Sequence, residues 1–288
     1  YNFGSGGLLE SFGVAFSGFT TTSTNRLIFN VPVGERHTGI AHSGAYITND
    51  AASNGSTTLR FGNNVDYVTI QWLEIESRDT ASAEALHSAA VLTATNNEFL
   101  VQQCIIHGVS ANAYSVTAAN GNYIFRNNII YTSAALRLMD VRGAASFILQ
   151  NNTMYTQGGD YAFLYDATGY TIANNYAGGA ATKDMWDVGA GAAGNNQCSS
   201  DTSATGGSFT SSYISKAGSA QFTSVTAGSE DFRLKSTAFI IDVGATIAAF
   251  SIDCVNTTRP QGLAWDIGAF EYVAAGGSDV LLSQIVMG

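Results

Sequence analysis

Large apolar residues recur at every second position in short runs, and the runs themselves recur along the chain. Phe99/Val101, Tyr123/Phe125, Phe147/Leu149 and Tyr170/Ile172 are such pairs. This period of two predicts short strands with one buried face. Three of the runs open a nine-residue pattern, apolar-x-apolar-x-Asn-Asn-x-apolar-x. Tyr123 to Tyr131 read YIFRNNIIY, Phe147 to Tyr155 read FILQNNTMY, and Tyr170 to Gly178 read YTIANNYAG. Their starts lie 24 and then 23 residues apart. Phe99 to His107 (FLVQQCIIH) precedes them by 24 residues, and Val68 to Glu76 (VTIQWLEIE) by a further 31, keeping the apolar positions without the Asn pair.

A repeat of about 24 residues is shorter than a βαβ unit, which needs roughly thirty or more. It accommodates three short strands and three turns. One such coil cannot bury its own apolar face, so successive coils must stack around a shared core. The expected fold is all-β, a single-stranded right-handed parallel β-helix.

The Asn pairs fall at one corner of each coil. Extending the strand alternation through the corner turns Asn127, Asn151 and Asn174 inward as a structural ladder, with amides hydrogen-bonded between coils at the ~4.8 Å strand spacing. Their neighbours Asn128, Asn152 and Asn175 are then the turn residues, because Asn tolerates left-handed backbone.

Over Val68 to Gly179 this pattern resembles the parallel β-helix repeats of pectate-lyase-like proteins. A second resemblance lies further on. Asp231 to Gly244 read DFRLKSTAFIIDVG and Arg259 to Tyr272 read RPQGLAWDIGAFEY. Together they resemble the closing segment of extracellular and phage-encoded β-helix proteins, in which a final coil ends at a DIGA-[FY]-E motif. The resemblance implies that Asp242, Gly244, Arg259, Gly262, Asp266, Gly268 and Glu271 fix a terminal turn.

One domain in four stretches follows. Residues 1–67 form irregular first coils, with strands expected in Phe12 to Phe19, Arg26 to Val33 and Thr58 to Phe61. The segment Val31 to Gly39 (VPVGERHTG) is similar to an early, capped coil, and the cap itself is expected upstream of Tyr1. Residues 68–179 are the regular coils, 180–272 less regular coils with the closing motif, and 273–288 a linker and apolar tail. That tail is expected to cap the helix end or to dock on a partner as an added strand.

Composition narrows the function. Charged residues make up 12% of the 288, and the net charge is −10. The 12 basic residues form no stripe able to neutralise a run of phosphates, which argues against nucleic acid. No stretch approaches the ~20 apolar residues of a membrane span. Cys104 sits in an apolar strand pattern and is expected to be buried. Cys198 and Cys254 sit in polar, loop-like contexts and could pair in an oxidising compartment. No cysteine or histidine spacing implies a metal site, and no cofactor is expected.

Candidate chemistry lies on the strands Leu138 to Arg142 and Phe163 to Ala167, which stack in neighbouring coils. Asp140 and Asp166 with Arg142 between them could supply the acid and base of glycosidic cleavage, or the base and carboxylate-neutralising group of uronate β-elimination. The alternative is a local ion pair of Asp140 and Arg142. Tyr165 and Trp186 are candidate ligand-binding residues, and Trp186, Tyr114 and Tyr213 stand outside the repeat as possible sugar platforms. His37, His42, His87 and His107 read as surface histidines. Glu74 and Glu76, alternating with Leu73 and Ile75, read as an exposed strand face.

Three functions fit. The first is a non-catalytic structural or adhesive β-helix displayed on a phage particle or bacterial surface, assembling with itself or with other surface proteins through its tail. The others are a polysaccharide lyase or glycoside hydrolase, and a glycan-binding module.

Overall fold

The structure, a computed structural model, describes residues 8–274 except 11–12, 19, 50–56, 63–64, 80–83, 89–97, 109–113, 117–120, 134–136, 143–145, 167–169, 188–192 and 206–207. The apolar tail Ser278 to Gly288 lies outside the described residues.

Among the described residues, seven coils each contribute one strand to each of three sheets and a last coil contributes to two of them; every pairing within those sheets is parallel. The pre-corner sheet precedes the Asn corner and runs from Leu27–Asn30 to Ser208–Thr210 in eight strands. The post-corner sheet follows it and runs from Leu8–Glu10 to Cys198–Ser199, again in eight strands. The third sheet has seven strands, from Val14–Phe16 to Lys183–Asp187. The chain is a parallel β-helix. The register is the one the repeat predicts: Val68 pairs with Phe99, Phe99 with Tyr123, Tyr123 with Phe147, and Phe147 with Tyr170. Those five side chains are at most 4% exposed and form a column in the core. Aromatic ring centroids within it lie 5.7 Å (Phe99–Tyr123), 6.4 Å (Tyr123–Phe147) and 5.8 Å (Phe147–Tyr170) apart. Stacking identical positions puts one ring above another, which turns a short apolar repeat into a continuous core.

The corner is made by one left-handed residue per coil. Trp72, Gln103, Asn127, Asn151, Asn174, Asn196 and Ser211 all have φ between 50° and 65°. The left-handed residue breaks the strand alternation, and this exchanges the roles expected of the two asparagines. The inner ladder consists of the second residue of each pair. Asn128 Nδ2 donates to Asn152 Oδ1 (2.9 Å), Asn152 Nδ2 to Asn175 Oδ1 (3.0 Å), and Asn175 Nδ2 to Gln197 Oε1 (3.2 Å). The side-chain carbonyl oxygens of the three asparagines also accept from backbone N–H groups one coil earlier: Cys104 N–H to Asn128, Asn128 N–H to Asn152, and Asn152 N–H to Asn175. All three amides are fully buried. At the first coils the inner position holds Leu73 and Cys104 instead, both buried, so the early copies of the repeat lose the Asn pair without losing the corner.

Asn127, Asn151 and Asn174 face out of the helix, where they bind the C-terminal part of the chain. That part differs from the expected closing coil. The chain turns the last corner at Ser211 and pairs once more in parallel, Tyr213 with Cys198. It then leaves the helix, makes a short antiparallel hairpin (Phe222–Ser224 with Asp231–Leu234), and lies along the outside of the post-corner sheet. It builds a second core there, in which Phe222, Phe232, Ile240, Ile267 and Phe270 cover Ile105, Ile129, Tyr131 and Tyr176. Cys198 and Cys254 belong to this core as free, fully buried thiols, so the expectation of a polar context and a possible disulfide is not met. Burial pushes the Cys198 thiol up to about 12 and Cys254 well above its ordinary value.

The closing motif sits on the corner rather than at an end. Asn174 Nδ2 donates to the Ala245 carbonyl and its Oδ1 accepts from the Ala245 N–H. Asn151 Nδ2 donates to the carbonyls of Asp266 (2.9 Å) and Gly268 (3.2 Å). Asn127 binds the Ile252 carbonyl and accepts from Arg259. The motif residues hold one another. Arg259, 4% exposed, pairs with Glu271 (2.9 Å) and donates to the carbonyls of Asp266, Gly268 and Ala269. Asp266 accepts from the Asp242 and Tyr272 N–H groups, and Asp242 from the Ala264 N–H. A Cβ on Gly262 would meet the Asp242 carboxylate at 2.3 Å and force it off the Ala264 N–H.

Candidate functional site

The residues first singled out for chemistry are not drawn together into a visible acid–base pair. Asp140 is 5% exposed and takes an ion pair from Arg137 at 2.9 Å. In the strand register it stands opposite Leu164, while Arg142 stands opposite Asp166. The side chains of Arg142, Tyr165 and Asp166, and that of Tyr114, lie outside the described residues. Trp186 is half-buried, its ring tilted by 43° against Tyr161 (centroids 4.3 Å apart) with the Lys183 ammonium over it. Tyr213 packs on Phe239 at the rim of the second core.

A tighter constellation forms on the outer face of the post-corner sheet, from residues that read as surface when taken singly. Strand register stacks Tyr46 beside Glu74, and in the next row Glu76 beside His107 and His107 beside Tyr131. The loop after the short 3-10 turn Val33–Glu35 folds over the first of these strands and delivers His42. His42 has φ 58°, a left-handed conformation uncommon for non-glycine residues, though His adopts it more readily than most. Its backbone N–H donates to Glu74 Oε2 at 2.7 Å. His107 Nε2 lies 2.8 Å from Glu74 Oε1, and His42 Nε2 lies 3.4 Å from the same oxygen and 3.2 Å from Glu76 Oε2. Arg78 Nε reaches Glu76 Oε2 at 2.8 Å. Glu74 is fully buried and Glu76 is 8% exposed, which corrects the expectation of an exposed face. Period-two alternation says only that a side chain leaves the core; it is silent on whether a later segment covers it.

The two covers of this sheet, the His42 loop and the Phe222–Leu234 hairpin, meet over the cluster. Between them is a cleft of about 290 Å³ lined by His42, Glu76, His107, Tyr131, Ser133 and Glu230, among others. The Tyr131 ring lies flat on His107, with centroids 4.8 Å apart and planes 7° apart. Burial, reinforced by the charges of Glu230, Glu74 and Glu76, pushes its phenol above the ordinary tyrosine range. Burial alone would raise the Glu76 carboxyl, but His107, Arg78 and His42 outweigh it and hold the group below its ordinary value. The cleft therefore presents an ionised carboxylate beside imidazole and phenol groups.

His37 is 3% exposed, with Nε2 2.8 Å from the Gln103 carbonyl and Nδ1 accepting from the Gly39 N–H. Burial lowers its pKa. It ties the same loop to the corner and is no surface histidine. His87 stands 3.6 Å from Glu84. No helix of the described residues is long and apolar enough to cross a membrane.

No protein-family model matches this chain, and no curated protein does. Among solved structures, the crystal structure of pectate lyase Pel9A aligns over 92% of this chain and 87% of its own, with 13% identity and a TM-score of 0.34. At that level the parallel β-helix rests on this chain's own strand register.

Proposed function

We propose that the protein is a non-catalytic structural or adhesive β-helix displayed on a phage particle or bacterial surface, with glycan contact along its polar flanks. The observation that supports this is the state of Asp140. A carboxyl that protonates or deprotonates a sugar must reach it, whereas Asp140 is buried against its own sheet and ion-paired to Arg137. The third sheet instead offers the half-buried Trp186, tilted against Tyr161 with Lys183 beside it, an aromatic surface of the kind that sugar rings stack on. Incubation with a polysaccharide panel is expected to release neither unsaturated nor reducing ends, while Trp186→Ala weakens retention on an immobilised glycan. Release that Asp140→Ala abolishes would sink the reading. Assembly is assigned to the apolar tail: deleting Ser278 to Gly288 should abolish incorporation into the particle or oligomer, and unchanged assembly would remove that role.

The cleft favours a second reading, a lyase or hydrolase acting on the post-corner face. Its support is Glu76, held ionised beside His107 and Tyr131 and across from Glu230. Polysaccharide cleavage lost in Glu76→Gln and retained in Asp140→Ala would select it over the first.

A further inference from the structure

We propose that His42, Glu74 and His107 form a binding site for a divalent transition metal of the zinc class. Each offers one ligand atom, and the three atoms lie within 4.8 Å of one another. Both imidazoles aim Nε2 at a single oxygen, Glu74 Oε1, at 3.4 and 2.8 Å. Two ring nitrogens and a carboxylate oxygen suit a borderline ion better than calcium or magnesium, which take oxygen ligands.

The surroundings fit a cation held in place rather than a passing ion pair. The ligands come from three separate turns of the chain, so binding would staple the His42 loop to two successive coils. Their rings are held before any ion arrives: His107 lies flat on Tyr131, and His42 meets Tyr46 edge-on at 4.9 Å. Glu74 Oε2 is fixed by the His42 N–H, which leaves Oε1 for the ion. Glu74, Glu76 and Glu230 gather here, and among the described residues the only Arg or Lys paired with any of them is Arg78, on Glu76. Glu74 faces imidazoles, which carry charge only when protonated. A divalent cation balances the remainder. His42 and His107 also line the cleft, so with three protein ligands a fourth position opens there, next to Glu76, for water or an oxygen of a bound molecule.

The test uses the full chain after removal of metals by a chelator, with Co²⁺ as the spectroscopic probe and Zn²⁺ in calorimetry. One equivalent of Co²⁺ should give the visible bands of a low-coordinate nitrogen–oxygen site without thiolate charge transfer, and Zn²⁺ should displace it. His107→Gln and His42→Asn should each weaken binding roughly tenfold or more. His42→Asn is the informative variant, since Asn accepts the left-handed turn and His42 is the most exposed of the three ligands. Its metal-free melting temperature should fall only slightly, since the backbone N–H bond to Glu74 stays, while the rise in melting temperature on adding Zn²⁺ is lost. Failure to bind one equivalent, or equal binding by the His42→Asn/His107→Gln double variant, would overturn the proposal. These readouts are independent of glycan binding or cleavage.

Discussion

The coiled body and the C-terminal quarter lie against the same sheet and are held by different means. Inside the coils, stability is repetitive: aromatic columns and the Asn128–Asn152–Asn175 ladder present the same contact at each step. Outside, nothing repeats. The quarter is held by a second apolar core and by one knot of charge at Arg259, Asp266 and Glu271, latched to the outward asparagines. A repeated contact spreads stability over neighbouring coils, as in other solenoids, whereas a knot concentrates it in a few side chains whose loss has no neighbour to share it.

The comparison can be broken most forcefully at Arg259. Arg259→Met keeps the apolar stem but removes the guanidinium bonds to Glu271, Asn127 and three carbonyls, and leaves the buried Glu271 carboxyl without its cation. A cost of about 3–5 kcal/mol is expected, confined to the outer layer. Hydrogen exchange should accelerate across 217–272 and remain slow in the coils; uniform acceleration would show that the two regions unfold as one.

Asn152→Ala strikes the body. It removes donors to Phe125, Gln150 and Asn175 and the acceptor of two Asn128 N–H bonds. A loss of roughly 2–4 kcal/mol in urea unfolding is expected, with protection falling in the coils on both sides.

The charge knot also makes the outer layer pH-sensitive. Burial pushes the Asp266 carboxyl up to about 7, against donation from Tyr272 and Asp242. The folded chain therefore holds a proton that the unfolded chain releases near pH 3.8, so this group's contribution is present below that value and lost as pH rises through about 7. Wild type should lose roughly 2–4 kcal/mol relative to Asp266→Asn between pH 5 and pH 8. The difference in urea midpoints between the two chains reads it directly, and a constant difference across that range would contradict it.

The smallest effect separates the two asparagines of one pair. Asn151→Gly preserves the left-handed turn and removes only the bonds to the closing motif and to Asn174. A loss of about 1 kcal/mol is expected, seen as faster exchange near 266–268 with the ladder intact. If Asn151→Gly proves as damaging as Asn152→Ala, the inward and outward rows have been wrongly distinguished.

Much of the body was legible because its contacts are periodic. The spacing of Val68, Phe99, Tyr123, Phe147 and Tyr170 is the strand register, and the Asn pairs do mark the corner. Which asparagine points inward was not legible. One φ of about 52° reverses the side-chain direction, and both residue types are the same letter in the sequence.

The candidate site was hidden for a related reason. Glu74, Glu76 and His107 lie on the outward face that alternation predicts, but His42 arrives from 32 residues before Glu74 and Glu230 from a hairpin folded back over the sheet. No spacing joins them, because what brings them together is the stacking of coils and the placement of two covers.

By itself, then, the sequence determined a stacked parallel helix, its period and its corner. Each of these follows from a local pattern that neighbouring coils must repeat in order to bury a shared core. Only the tertiary structure decided that the C-terminal quarter lies along the corner instead of adding a coil, that two loop-like cysteines are buried, and that scattered carboxylates and imidazoles share one cleft. Those outcomes depend on contacts between segments with no common period, and alternation along the chain carries no record of them.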